Sequence, residues 1–196
     1  DHWRRQGVLG NMRIVLSIPN PAIFQVPEFA TVLDKVAARY GIEVRLNTEV
    51  VEIDPDSREV ILLDKLTDSK ERISYSMVHA TPPQSAPDVL KGGPLSDPAD
   101  PLGWVTADKS TLRHSRFENV WALGDSANLP TSKTGAAIRK QAPVVVENLA
   151  AVAAGRAPEA AYDGYTSCPL VCSRNTLLMA EFDYDKRPTP TIPVLD

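Results

Sequence analysis

The order of elements predicts an α/β fold with an inserted antiparallel piece, and three patterns carry that reading. Residues 12–46 run strand, helix, strand, the repeat that builds parallel sheets. Residues 50–63 hold two short apolar runs around Asp54-Pro-Asp-Ser57, which is hairpin chemistry. Residues 119–153 pass from an apolar strand through a short polar loop into a second long helix. Only two long helices result, too few to cover both faces of a doubly wound sheet.

Element by element, Met12–Ile18 reads as a strand stopped by Pro19-Asn-Pro21. Pro27 suits the first turn of a helix, with Glu28 favourable at its positive end. Phe29, Leu33, Val36, Ala37 and Tyr40 fall at helical spacing, and Gly41 reads as the C-terminal cap. Ile42–Leu46 alternates as a strand, and Ile73–Ala80 reads as a further strand ended by Pro82-Pro83. Six of the 17 prolines lie between Pro82 and Pro101, so 82–118 reads as a structured connector, with a small hairpin over Trp104–Leu112. Val120–Leu123 is the next predicted strand. A helix over Gly135–Ala153 follows, with Ile138, Val145, Leu149 and Val152 as its expected buried stripe. Pro143 inside it should kink it or open its ladder. Asn175–Tyr184 has strand-like composition.

Composition narrows the function classes. The 196 residues are 43% hydrophobic and 23% charged, as in an ordinary soluble protein with a sizeable core. A net charge of −4 without blocks of like charge argues against nucleic acid as a partner. No run of about 18 apolar residues exists, so no membrane-spanning helix is expected, and the chain alone is expected to be soluble. The start, Asp1-His-Trp-Arg-Arg5, has neither an initiator Met nor an apolar signal core, so a piece of a longer protein is expected. Cys168 and Cys172 are too few for a disulfide scaffold, and no His or Cys shares ligand spacing with others, so no metal site is expected.

The stretch Asn119–Ile138 is the most informative part. A carboxylate, Asp125, stands at the carboxyl end of an apolar strand just after Gly124, and a fresh helix start follows at Thr134-Gly-Ala-Ala137. Such an acid can accept hydrogen bonds from sugar-type hydroxyls, while open N–H groups at a helix start face an electron-rich group. The pattern suits a nucleotide-like ligand. No glycine-rich phosphate loop precedes it. From the residues alone, Asp125 reads equally as a loop acid or helix cap, Lys133 as a solvated cation, and Cys168 as a buried thiol. His79 and His114 read as hydrogen-bonding loop residues, and Trp104, Trp121 and Tyr165 as packing aromatics. A Cys168–Cys172 bridge requires Cα atoms about 4.4–6.8 Å apart, which an extended segment does not allow.

Three segments together resemble the sulfide:quinone oxidoreductases, within the two-dinucleotide-binding-domain flavoproteins. They are His79-Ala-Thr-Pro-Pro-Gln-Ser-Ala-Pro-Asp-Val-Leu90, Asn119 through Gln141, and Tyr162-Asp-Gly-Tyr-Thr-Ser-Cys-Pro-Leu-Val171 continuing to Tyr184. Gly-Asp after an apolar strand is only moderately specific, whereas Asn-Leu-Pro-Thr-Ser-Lys-Thr together with Tyr-Asp-Gly-Tyr-Thr-Ser-Cys-Pro-Leu-Val is highly so. The resemblance covers nearly the whole chain and matches about the C-terminal half of the family. It implies an incomplete Rossmann-like flavoprotein fold. Residues 1–81 would be the C-terminal part of the second, NAD-like domain, 82–118 a Pro-rich crossover, and 119–196 the C-terminal part of the FAD-binding domain.

The same resemblance implies FAD as cofactor, sulfide and a membrane quinone as partners, and oxidation of sulfide at a cysteine pair. Cys168 would be the pair's member against the flavin. Gly124 and Asp125 would meet its ribityl chain, and Thr134, Gly135 and Ala136 would face its pyrimidine end, with Lys133 near flavin and quinone. The second cysteine and the G-x-G-x-x-G unit would lie upstream of this chain. Relatives continue beyond Asp196 into helices that dock on a membrane surface, so the parent is expected to be a peripheral protein of the bacterial cytoplasmic membrane or the mitochondrial inner membrane. Cys172 and Arg139 depart from the family pattern. Two alternatives follow. One is a catalytically incompetent fragment or structural domain, whose uncovered apolar face would favour a homodimer. The other is an NADH:quinone reductase of the same superfamily, which would not need Cys168.

Overall fold

The computed structural model describes residues 1–191, and they form two compact units. One comprises Asp1–Pro82 with Val171–Leu178, and the other Pro83–Leu170 with the chain from Met179 onward.

The first unit opens with a single helical turn, α1 (His2–Arg5), and then a βαβ unit. Strand β1 (Val15–Ser17) and β2 (Glu43–Arg45) pair in parallel across helix α2 (Pro27–Arg39), as the spacing predicts. The helix stops where the sequence says it should. Gly41 takes φ +65, which a side chain would resist, and the N–H groups of Gly41 and Ile42 turn back to Ala38 and Ala37. Val26, Ala30 and Ala37 form its buried side.

An antiparallel sheet follows in the order β3 (Thr48–Asp54), β4 (Glu59–Asp64), β5 (Lys70–Ser74). The Asp54 turn forms as expected, its carboxylate accepting from the N–H groups of Asp56 and Ser57. Asp64 repeats that device with Leu66 and Thr67. This second turn pulls the third strand forward to Lys70–Ser74, whereas apolarity alone predicts Ile73–Ala80. The ladder partner, not the apolar run, sets the strand: Leu63 and Leu62 on β4 face Lys70 and Glu71.

In the second unit, 83–128 forms no regular strand and is held by isolated bridges. A tight loop closes between Ala107 and His114, with the Asp108 carboxylate accepting from the N–H groups of Ser110 and Thr111. The predicted strand Val120–Leu123 contributes only one bridge, Trp121 to Arg113, because its neighbour is itself too short to carry a ladder. Val105, Leu112, Ala122, Ala127, Leu129, Val145 and Tyr162 form the core of this unit.

Helix α3 (Gly135–Ala153) occupies the predicted range. It runs through Pro143, whose missing N–H leaves the ladder short of one donor on an exposed face. It ends at Gly155, φ +72, with Gly155 and Arg156 N–H turned back to Val152 and Ala151. Its buried side differs from the predicted stripe. Ala137, Gln141, Val145, Asn148 and Ala151 are buried, while Leu149 is 44% exposed. Two buried polar residues rotate the helix away from its most apolar face. Asn148 donates to the carbonyls of Thr111 and Ala160 and accepts from Ala160 N–H, and Gln141 accepts from Gly124 N–H.

Strands β6 (Thr166–Val171) and β7 (Leu177–Phe182) form a hairpin. Glu181 on β7 is buried, and its carboxylate accepts from Tyr165 Oη and from the Thr191 N–H and hydroxyl.

Asn148→Leu should strand two carbonyls and one N–H in the core, costing about 2–4 kcal/mol of stability. Urea unfolding followed by far-UV circular dichroism measures this, and an unchanged midpoint would contradict the role given to Asn148.

Candidate functional site

The Gly124–Ser126 turn carries the site. Gly124 adopts φ +61, and a Cβ placed there would stand 3.0 Å from both Cγ1 and Cδ1 of Ile138. Glycine is therefore required twice over, for conformation and for the close approach of α3. The Gly124 N–H is buried and donates to Gln141 Oε1 at 2.7 Å. That bond turns the chain so that the next residue, Asp125, is exposed.

Asp125 borders an open cleft of about 550 Å³ within the second unit. Its other walls are Pro83, Gln84, Ser85, Pro87, Trp104 and Ser126. The volume lies in the range of small-molecule sites. Its lining combines an aromatic face, proline rings and one carboxylate.

Next to it, Gly124, Lys133 and Thr134 line a shallow dimple, too small for a water molecule, with Ala127, Leu129, Thr131, Ser132, Ala137 and Gln141. Thr134 is the N-cap of α3, its hydroxyl accepting from Ala137 N–H at 3.1 Å. The N–H groups of Gly135 and Ala136 take no hydrogen bond among the described residues. They remain open at the positive end of a 19-residue helix. Gly135 is exposed and nothing stands within 4 Å of where its Cβ would be.

Lys133 is not a solvated loop cation. Its ammonium donates to the Ala127 carbonyl at 2.5 Å and sits 3.9 Å from the centre of the Trp104 ring. Burial lowers its pKa from the ordinary lysine value, against the opposing charges of Asp125 and Asp100.

Cys168 lies mid-way along β6, half-buried. Two residues earlier the Thr166 hydroxyl is 2.8 Å from the Thr134 hydroxyl. Alternation along a strand gives Thr166 and Cys168 the same face. The cap of α3 thus anchors the strand that carries the thiol. Burial pushes the Cys168 thiol above its ordinary pKa, so the neutral form prevails near pH 7. Cys168 and Cys172 are not joined in a disulfide. The Cys172 carbonyl accepts from Arg39.

The remaining expectations divide. His114 is a structural residue. Its Nδ1 accepts from the N–H groups of Arg116 and Phe117, and its Nε2 lies 3.0 Å from the Leu95 carbonyl, the pattern of a neutral ring with the proton on Nε2. Trp104 is more than a packing aromatic, since it lines the cleft and holds Lys133. Gln141 was missed, although a polar residue one turn after Ala137 on an otherwise small and apolar helix face is a readable signal. Among the described residues no cluster of metal-ligating side chains occurs, and no helix is long and apolar enough to cross a membrane.

No protein-family model matches the chain. Curated relatives do. It is 39% identical over 194 residues to the mitochondrial sulfide:quinone oxidoreductase of Mus musculus, covering 98% of this chain and 42% of that protein. The Dictyostelium discoideum protein of the same name is 39% identical over 184 residues, covering 94% of this chain and 40% of that protein. By sequence the chain is similar to the sulfide:quinone oxidoreductases over nearly its whole length. It spans about two fifths of the length of these relatives.

Structural comparison gives the same fold. A chain within the mitochondrial ATP synthase assembly of Tetrahymena thermophila superposes with a TM-score of 0.81 at 24% identity, over 96% of this chain and 45% of that one. The sulfide:quinone oxidoreductase of Aquifex aeolicus superposes with a TM-score of 0.73 at 17% identity, over 86% of this chain and 42% of that one. The fold is an incomplete Rossmann-like flavoprotein fold with an antiparallel insertion.

The raised thiol pKa has a measurable sign. A thiol reacts as its thiolate, so alkylation of Cys168 in a Cys172→Ser background should still be climbing at the pH where an exposed cysteine has levelled off. Iodoacetamide rates read by mass spectrometry give the profile. A plateau reached by pH 7 would contradict burial as the controlling influence.

Proposed function

We propose that the chain is the C-terminal portion of an FAD-dependent sulfide:quinone oxidoreductase, in which Asp125 and the start of α3 hold the flavin and Cys168 is one of the two redox sulfurs. One observation carries the reading: an exposed carboxylate on a cofactor-sized cleft lies beside an open helix start whose N-cap is tied to the strand carrying Cys168.

The residues present fit a flavin. Asp125 is a free acceptor for ribityl hydroxyls, Trp104 and the Pro83–Pro87 wall offer apolar and aromatic faces, and Gly135 leaves room for close approach. Gly124, Lys133, Thr134 and Ala136 complete the holding set. FAD, when bound, supplies a two-electron relay between sulfur and quinone.

The chain's own part in the chemistry is to present Cys168 at a fixed place. In the oxidised pair, hydrosulfide adds to the partner sulfur and the S–S bond breaks. The partner becomes a persulfide, and the bond's electron pair leaves on Cys168 as thiolate. The positive end of α3 favours that anion, against the half-buried setting of β6, which disfavours it. The unpaired N–H groups of Gly135 and Ala136 favour negative charge on the ring system they face.

The quinone is the electron acceptor in this reading, and the parent protein works at a membrane surface, the mitochondrial inner membrane or a bacterial cytoplasmic membrane. The similarity to mitochondrial sulfide:quinone oxidoreductases supports this reading.

In the full-length protein containing this chain, Cys168→Ser should lower sulfide-driven quinone reduction by about three orders of magnitude, with the flavin absorption retained. Normal turnover in that variant would end the assignment. Asp125→Ala should weaken FAD retention by about tenfold or more, read as flavin released per protein on dilution.

A further inference from the structure

We propose that Trp104 is a positioning residue that holds the Lys133 ammonium between the Asp125 cleft and the start of α3, where it faces negative charge on the bound ligand. The inference rests on the reading above, that this cleft receives FAD.

Lysine has four rotatable side-chain bonds and a strongly hydrated head, so an ammonium stays at one place only when something keeps it there. Here two groups do. The Ala127 carbonyl accepts one hydrogen bond at 2.5 Å, and the Trp104 ring lies under the nitrogen at 3.9 Å, within the range of a cation–π contact. One of the three ammonium donors is used, and Lys133 has no other hydrogen bond among the described residues. The other two are available to a ligand.

Trp104 is itself fixed by the backbone. Its N–H donates to the Asp100 carboxylate at 3.2 Å. Its neighbour Val105 donates to the Ser126 carbonyl at 2.8 Å and accepts from Asn128 N–H at 3.0 Å. The ring is therefore stitched to the same segment that presents Asp125, and it is only 9% exposed. One residue thus lines the cleft and carries the cation. Asp100 and Asp125 are the acids that act on Lys133, and both favour its charged form.

The arrangement makes Lys133 a fixed positive charge rather than a mobile one. A preset charge stabilises developing negative charge without reorganising at the moment it appears. Removing the ring should release the ammonium to solvent, whereas a phenyl ring keeps a face for it.

The test uses the purified chain, acetylated with N-hydroxysuccinimidyl acetate and read by peptide mass spectrometry. In Trp104→Leu, Lys133 should label about tenfold faster than in the wild type. In Trp104→Phe it should label near the wild-type rate, and the exposed Lys91 and Lys140 should label unchanged in both. Unchanged labelling of Lys133 in Trp104→Leu, or a rise of all three lysines together in both variants, would overturn the proposal. FAD titration of the full-length protein separates this from the underlying reading. Trp104→Leu should weaken FAD at least as much as Lys133→Met, with little further loss when Lys133→Met is added to it. If labelling changes as expected but Lys133→Met binds FAD normally, the positioning stands and the ligand-facing role is overturned.

Discussion

The buried hydrogen bond from Gly124 N–H to Gln141 Oε1 is the constraint on which the second unit's site depends. A donor removed from water must find a partner, and this one finds it on a helix seventeen residues later. The bond fixes the phase of α3, since Gln141 can reach it only if that face turns inward. It also fixes the turn that exposes Asp125, because the left-handed Gly124 cannot relax without losing the donor. Cleft and helix start are therefore set by one shared contact.

From that contact the rest of the arrangement follows along α3. Its first turn is closed by Thr134, whose hydroxyl also meets Thr166 on β6. Its fourth turn is closed by Asn148, which satisfies the Thr111 and Ala160 backbones. Each polar residue on the inner face spends its hydrogen bonds on a different distant segment. The helix works as a spine that gathers the 105–128 loops and the 160–168 segment into one body, with little need for regular sheet. Small Ala137 and Ala151 let those segments come close.

Local chemistry made much of this legible. Gly41 and Gly155 each end a helix because the positive φ they adopt suits the turned-back cap. Asp54 closes its hairpin through its own carboxylate. Where reading failed, long-range partners decided. The stripe expected on α3 followed apolarity, yet buried amides outweighed Leu149, because leaving Gly124 and Ala160 unpaired costs more than exposing one leucine. The strand expected at 73–80 followed an apolar run, but strands need partners, and β4 offers its edge to 70–74. In the candidate site, Asp125, Lys133 and Cys168 stood out as residue types, whereas Trp104 and Gln141 did not, since their roles exist only through what they touch.

By itself the sequence determined the α/β order, the helix limits, the Gly-Asp turn and the motifs of the sulfide:quinone oxidoreductases, because these rest on local dihedral preference and on residue identity along the chain. The tertiary structure alone decided which face of α3 is buried, that Asp125 borders an open cleft, that Lys133 rests on an indole ring, and that Cys168 is partly buried. Those outcomes depend on competition between desolvation and partners far apart in sequence, and that competition is settled only when the segments meet.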